Sequence, residues 1–319
     1  MTAEELRVGG ADRAVITRLV DDGRWRRLAR GLYLTVPGPL TEVAKAHAAV
    51  KHAGPGAVLT GLLAARWLGL RWVPEPTAVQ VLVPADRRRH SSDAFVLVRR
   101  HAGLEMLPTS THEGLPVAPV AKVVVDAARE LHSLQDVRGV VLAAVADGLC
   151  TTEQIRSVLA AGAVAGTKLV RRACLDAERG AVSPPEAELV DGLLPLGVPF
   201  YCNCEVWLGE ELLGIVDVWL VGTGVGGELD SKQFHADALR LDATLLRDKR
   251  FHRATLSLQH ISPLRYRSAP GAFHATLLGE VAAREAAGLS EPAGLRLVPR
   301  GPLLGLRPEP ARRRRSTAA

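Results

Sequence analysis

Apolar residues recur along the chain in two periods, close to 3.6 and close to 2, and their alternation predicts an α/β protein. Near the start, residues 3–8 read as a short helix that stops at Gly9 and Gly10. Asp12 then precedes Val15, Ile16, Leu19 and Val20, which share one helical face, and Gly23 ends that helix. The run RWRRLARGLYLTVPG sets Trp25, Leu28, Leu32 and Leu34 around a turn at Arg30 and Gly31, as in a hairpin. Helix, turn, helix, hairpin is the order of a winged helix. Helices are expected next at 39–52 and 60–70, strands at 78–83 and 95–99, and a strongly amphipathic helix at 118–131. Helices at 136–146 and 151–161 lead to a linker-like break at 179–185, where Gly180, Pro184 and Pro185 cluster.

Beyond the break the pattern predicts a helix at 185–194 and strands at 200–208, 213–220 and, more weakly, 227–233. A helix at 239–254, a strand at 256–261 and a helix at 272–287 complete an α/β unit of about 100 residues. After Gly288 the composition turns to Gly, Pro and Arg, which predicts little fixed structure. The expected division is a winged helix over 1–38, an α/β and then helical region over 39–180, an α/β domain over 181–288, and a flexible basic tail over 289–319. This is a multidomain α/β chain.

Composition narrows the class. The 319 residues are 47% hydrophobic, which excludes disorder and collagen-like repeats. No apolar run is long enough for a membrane-spanning helix, and two glutamates in MTAEELRVGG argue against a signal peptide, so no membrane partner is expected. The four cysteines make no disulfide framework, and zinc lacks further ligands at suitable spacing. They read as small core residues in a reducing cytoplasm, with Cys202 and Cys204 on one face of a strand. Residues 1–180 carry 24 basic and 18 acidic side chains, whereas 181–319 carry 16 of each, four of the basic ones being Arg312 to Arg315. A nucleic-acid footprint is therefore sought first in the N-terminal half.

That half offers a DNA-reading surface. The second helix carries Arg13, Thr17 and Arg18 on its polar side, and the hairpin carries Arg24, Arg26, Arg27 and Arg30. Arginine pairs bidentately with phosphate or guanine edges, and a helix fits the major groove while a basic hairpin follows the backbone. The run DDGRWRRLARGLYLT resembles the end of the winged helix in antitoxins of the AbiEi class, and GAVLTGLLAARWLGL and GLPVAPVAKVVVDAAR resemble later segments of that class. The resemblance covers roughly the first 130 residues. It implies binding to double-stranded DNA at a promoter and neutralisation of a nucleotidyltransferase toxin, although the helix before the recognition helix is unusually short here.

The last third carries a second constellation. Glu186 lies on the opening helix, Asp217 near the end of GIVDVWL, and Glu228 with Asp230 in GELDSKQFH. A hairpin turning at 223–226 brings Asp217 opposite Glu228, and strand alternation points Glu228, Asp230 and Lys232 to one face. Grouped carboxylates repel unless they hold a divalent cation. Such oxygen ligands suit Mg²⁺, which activates water and stabilises charge on a scissile phosphate. The glycines of VGTGVGGELD are not a phosphate loop, because neither Lys-Ser nor Lys-Thr follows.

This pattern resembles the PD-(D/E)XK nuclease superfamily, and more closely its branch similar to very-short-patch repair endonucleases. The resemblance implies a restriction-endonuclease-like fold in which Glu186 is the helix glutamate, Asp217 and Glu228 hold the metal, and Lys232 orients water or stabilises developing charge. It extends to RDKRFHRATLSLQHISPLRYR, and so to Arg247, Arg250 and His260. Asp230 stands where the usual lysine falls, and Lys232 substitutes only on a regular strand. Two functions stay open: a Mg²⁺-dependent DNA endonuclease, and a non-enzymatic antitoxin-like repressor with a degenerate nuclease fold.

Overall fold

Thr2 opens the first helix, α1 (Ala3–Val8), with a reciprocal cap. Its hydroxyl accepts the Glu5 N–H at 3.1 Å, and the Glu5 carboxylate accepts the Thr2 N–H at 2.8 Å. Asp12 caps α2 (Arg13–Asp21) by accepting the Val15 N–H at 2.8 Å. The hairpin follows as antiparallel β1 (Arg26–Ala29) and β2 (Leu32–Leu34), with Gly31 taking a positive φ of 73° at the turn. The next helix, α3 (Glu42–Ala53), buries Ala48 against Ala29 and Leu32, so the hairpin's inner face is covered by a segment that follows it. The computed structural model describes residues 1–87, 91, 95–162, 165–230 and 238–306.

The rest of the first compact unit, Met1–Cys174, is a five-stranded sheet with helices. Its elements are β3 (Val58–Thr60), α4 (Gly61–Trp67), β4 (Val79–Pro84), β5 (Val96–His101), β6 (Ser110–His112), β7 (Leu115–Val117), α5 (Val120–Ala128), α6 (Leu134–Ala146), α7 (Thr152–Ala161) and α8 (Lys168–Glu178). Strands run in the order β5-β4-β3-β7-β6, with β4/β5 and β3/β7 parallel and the other pairs antiparallel. Helix α5 is buried from Ala121 to Ala128, so it is the centre of the core rather than an amphipathic cover. It carries a charge inward: Lys122 donates to both Asp126 oxygens at 2.5 and 2.6 Å, and Thr60 donates to the same carboxylate at 2.9 Å. The pair is fully hydrogen-bonded, the condition under which a buried ion pair is tolerated.

The second compact unit, Leu175–Ala319, contains the predicted α/β order. The boundary falls inside α8, ahead of the glycine and proline cluster. Its elements are α9 (Pro184–Leu193), β8 (Phe200–Leu208), β9 (Glu211–Leu220), β10 (Val225–Leu229), α10 (Ala238–Arg253), β11 (Ser257–Ile261), α11 (Pro263–Ser268), α12 (Pro270–Ala286) and β12 (Leu295–Pro299). The sheet order is β11-β10-β9-β8-β12. Only β10/β11 is parallel, and α10 is the crossover between them. Phe251 of α10 packs on Trp219 of β9 with ring centroids 6.3 Å apart.

Two expectations are corrected. The third strand starts at Val225 and not at Gly227, because the turn closes earlier, through Gly222 and Gly224 with φ of 82° and 69°. Gly226 and Gly227 therefore lie within the strand, where side chains leave no room for another: a Cβ at Gly227 would sit 2.9 Å from Val218 Cγ2. The chain after Gly288 is not wholly a flexible tail. β12 pairs with β8 from Leu295–Leu208 to Pro299–Cys204, and Leu304 exchanges backbone hydrogen bonds with Phe200 at 2.9 and 3.1 Å. Composition misled here because the free edge of β8 supplies backbone partners that a local reading does not see. The arginines at 312–315 lie outside the described residues.

Among the described residues no helix is long and apolar enough to cross a membrane, and the chain is a multidomain α/β protein. One contact ties the C-terminal segment to the core: Glu291 accepts the indole N–H of buried Trp219 at 2.9 Å and the Gly222 N–H at 2.8 Å. Glu291→Ala leaves that indole without its partner and is expected to lower unfolding free energy by about 1–3 kcal/mol. Urea denaturation checks this, and an unchanged midpoint would contradict it.

Candidate active site

The register of the second sheet builds the site. Gly227 faces Val218 across β10 and β9, so the next step sets Glu228 beside Asp217, and the Leu229 N–H donates to Asp217 Oδ2 at 2.7 Å. On the far side of β9, Cys202 and Cys204 face Val218 and Val216, which leaves Asn203 opposite Asp217. Parallel β11 places His260 level with Glu228. Asn203, Asp217, Glu228 and His260 thus form one transverse row over four strands.

Glu186 stands behind this row. Ser183 caps α9 and donates to Glu186 Oε1 at 2.7 Å, while Oε2 accepts from the Val182 N–H at 2.9 Å and Asn203 Nδ2 at 2.5 Å. Asn203 has a φ of 48°, a left-handed conformation that asparagine tolerates better than most residues. With three donors on its side chain, Glu186 is held in place rather than left as a free ligand.

Burial dominates the electrostatics. Glu228 is 7% exposed, and its carboxyl is pushed well above the usual range by burial and then by the Asp217 charge. Burial, followed by the Glu186 charge, raises Asp217 to about 7, against the pull of the Leu229 N–H and Arg247. Arg247 of α10 brings Nη1 to 3.2 Å from Glu228 Oε1. At the rim, His260 bridges Asp230 Oδ2 at 3.0 Å and Asp248 Oδ2 at 3.4 Å. Hydrogen bonding to Asp230 raises the imidazole pKa despite partial burial.

The fold therefore gathers Glu186, Asp217, Glu228 and Asp230 into one electrostatic cluster, in which Glu186 and Asp230 raise Asp217, and Asp217 and Asp230 raise Glu228. Lys232 lies outside the described residues, so the expected shared face of Glu228, Asp230 and Lys232 is traced only to Asp230, whose N–H donates to Ile261 O at 2.9 Å just past β10. Sequence reasoning missed Asn203, which stands between Cys202 and Cys204, and Asp248; it gave Arg247 and His260 no role.

Among the described residues no group of three or more His, Cys, Asp or Glu side chains is spaced to hold a metal ion. Mg²⁺ needs fewer, since it keeps several waters and binds through one or two carboxylates. Asp217 and Glu228 fit that donor set, and Glu228 Oε1, though ion-paired with Arg247, is a buried oxygen that accepts no hydrogen bond from the described residues.

In the first unit, Arg13, Thr17 and Arg18 are exposed on α2, and Arg24, Arg26, Arg27 and Arg30 are exposed on and around the hairpin. Arg13 and Thr17 share a helical face at a spacing of four, and Arg26 and Arg27 face Leu34 and Tyr33 across the ladder.

No protein-family model and no curated protein sequence matches the chain. Among solved structures, the crystal structure of the RV2827C protein from Mycobacterium tuberculosis is similar over 55% of this chain and 70% of that one, with 18% identity and a TM-score of 0.39.

The raised Asp217 carboxyl has a measurable consequence. Its ordinary value is 3.8, so between about pH 4 and 7 the folded protein holds a proton there that the unfolded chain has released. The stability this contributes is full below about pH 4 and is lost as pH rises through about 7. Asp217→Asn keeps an acceptor for the Leu229 N–H and removes the charge. Without divalent metal at about pH 8 it is expected to be more stable than wild type by on the order of 1 kcal/mol or more. Thermal melts across pH decide this, and a variant that melts lower at pH 8 contradicts it.

Proposed function

We propose that this is a DNA-binding protein whose basic helix-and-hairpin head engages duplex DNA and whose second α/β unit hydrolyses phosphodiesters with Mg²⁺. The observation that carries the reading is the buried pair Asp217 and Glu228, side by side on adjacent strands with both carboxyls pushed up. Two charges so placed are stable together only when protonated or when a cation lies between them. The helix, three antiparallel strands, crossover helix and parallel strand that carry the pair support the PD-(D/E)XK resemblance. The exposed arginines of α2 and the hairpin support the AbiEi-class one.

On this reading Asp217 and Glu228 hold the ion, which when bound supplies an activated water and charge stabilisation at the phosphate. Glu186, fixed by Ser183, Val182 and Asn203, keeps the field at Asp217 negative. Asp230 orients His260 at the rim, and Lys232 is the further candidate for positioning water. The buried thiols Cys150, Cys174, Cys202 and Cys204 suit a reducing cytoplasm.

A second reading is favoured by the ion pair between Arg247 and Glu228 and by Asp230 in the lysine position. In it the guanidinium replaces the metal, and the protein is a non-enzymatic antitoxin-like repressor that binds DNA and a nucleotidyltransferase toxin.

Supercoiled plasmid separates the two. With Mg²⁺ or Mn²⁺ the protein is expected to produce nicked circles, and Asp217→Ala to lower the rate at least about 100-fold. No metal-dependent nicking supports the repressor. Independently, Arg26→Ala and Arg27→Ala are each expected to weaken duplex binding alike on all sequences and to reduce the salt dependence by about one counterion for each phosphate no longer neutralised. Unchanged slopes in a titration series would remove the hairpin from the interface.

A further inference from the structure

We propose that Arg247 is a catalytic residue of this centre, pairing with the scissile phosphate and stabilising the charge that develops on it; this rests on the nuclease reading above. Burial of an arginine stem against a strand needs space, and β9 provides it. Gly214 lies three residues before Asp217, and a Cβ there would sit 2.8 Å from Arg247 Cδ and 3.0 Å from Cγ. The same Cβ would meet Phe251, one turn further along α10, at 3.1 Å. The bare backbone at Gly214 is thus a cradle that lets Arg247 lie across β9, so that its guanidinium reaches Glu228 on β10, a strand that α10 follows by way of the crossover.

The guanidinium is incompletely used where it lies. Arginine has five N–H donors. Nη1 is 3.2 Å from Glu228 Oε1 and makes a long bond of 3.5 Å to Ile215 O, whereas buried Nε is 3.8 Å from Asp248 Oδ1 and makes no hydrogen bond to the described residues. The side chain is 22% exposed at the edge of the carboxylate row, and among the described residues Glu228 engages only part of its donor fork.

A phosphodiester is the oxygen partner that fits the location. It is an anion, and Glu186, Asp217, Glu228, Asp230 and Asp248 repel it unless a cation faces it directly. Asp230, just past β10, adds a further negative charge, and α10 brings the positive charge of Arg247 to the row. A guanidinium also presents two parallel N–H groups to two phosphate oxygens, which a point charge does not. In the reaction a water oxygen bonds to phosphorus, the bond from phosphorus to one sugar oxygen breaks, and the proton lost by water ends on that departing oxygen. Arg247 neutralises the phosphate oxygens while the attacking and departing oxygens are both partly bonded.

The test uses the full-length protein with Arg247→Met, Arg247→Lys and Asp217→Ala, measuring nicking turnover in Mn²⁺ and Mn²⁺ affinity by calorimetry. Arg247→Met is expected to lose about 10²–10³-fold in turnover, as when a preorganised transition-state donor is removed. Its Mn²⁺ affinity is expected to stay or to tighten, because a competing positive charge has gone. Arg247→Lys keeps the charge, guards against a folding defect in the methionine variant, and is expected to recover part of the turnover. Asp217→Ala loses turnover and Mn²⁺ binding together. Wild-type turnover in Arg247→Met, or in Arg247→Lys if the methionine variant does not fold, overturns the proposal and leaves the nuclease reading intact. Weakened Mn²⁺ binding in Arg247→Met makes the residue a structural counter-ion and also overturns it. Wild-type protein that never nicks overturns both.

Discussion

Two carboxylates held side by side in a water-poor sheet are the constraint from which the second unit follows. Two unit charges about 4 Å apart at a protein surface repel by about 4 kcal/mol at an effective dielectric constant of 20, several times the net worth of an ordinary hydrogen bond. The Leu229 N–H on Asp217 therefore cannot offset the repulsion alone, and both carboxyls are raised, first by burial and then by the charge of Glu186 on Asp217 and of Asp217 on Glu228. The neighbours are arranged around that conflict. Asn203 adopts a left-handed backbone to hold Glu186 behind Asp217, Gly214 lacks a side chain so that Arg247 can approach Glu228, and His260 is pinned between two further carboxylates.

The first unit solves a different problem, the presentation of positive charge on a small support. Two short helices and a hairpin bury few residues by themselves, chiefly Leu6, Ile16, Ala29 and Leu32. The hairpin gains its cover from Ala48 of α3, and α1 meets α3 through the Glu5–Lys51 ion pair at 2.7 Å, an exposed contact of small energetic weight. The arginines of α2 and the hairpin consequently stand on a platform built partly from residues that follow them in sequence. This explains how a very short first helix suffices.

Legibility in the sequence followed the length and regularity of each element. FYCNCEVWL alternates over nine residues and was readable to its boundaries as β8, and the helices α2, α6 and α9 were placed to within a residue or two by their caps and periodicity. β3, β6 and β7 have three residues each, too few for alternation to show, and β12 exists because β8 offers an edge. At the site, Asp217 and Glu228 were legible because their separation matches a hairpin. Asn203 and Arg247 had no such signal: one depends on a positive φ inside a strand and the other on a glycine cradle contributed by a different element, both tertiary facts.

The claim beneath this account is that Asp217 and Glu228 share a cation. The most direct measurement is anomalous diffraction from crystals of the protein soaked in Mn²⁺. The account predicts a peak within coordinating distance of an oxygen from each carboxylate, with the Arg247 guanidinium displaced from Glu228 or turned toward solvent. Well-ordered density with no peak there, and with Arg247 still paired to Glu228, would contradict it.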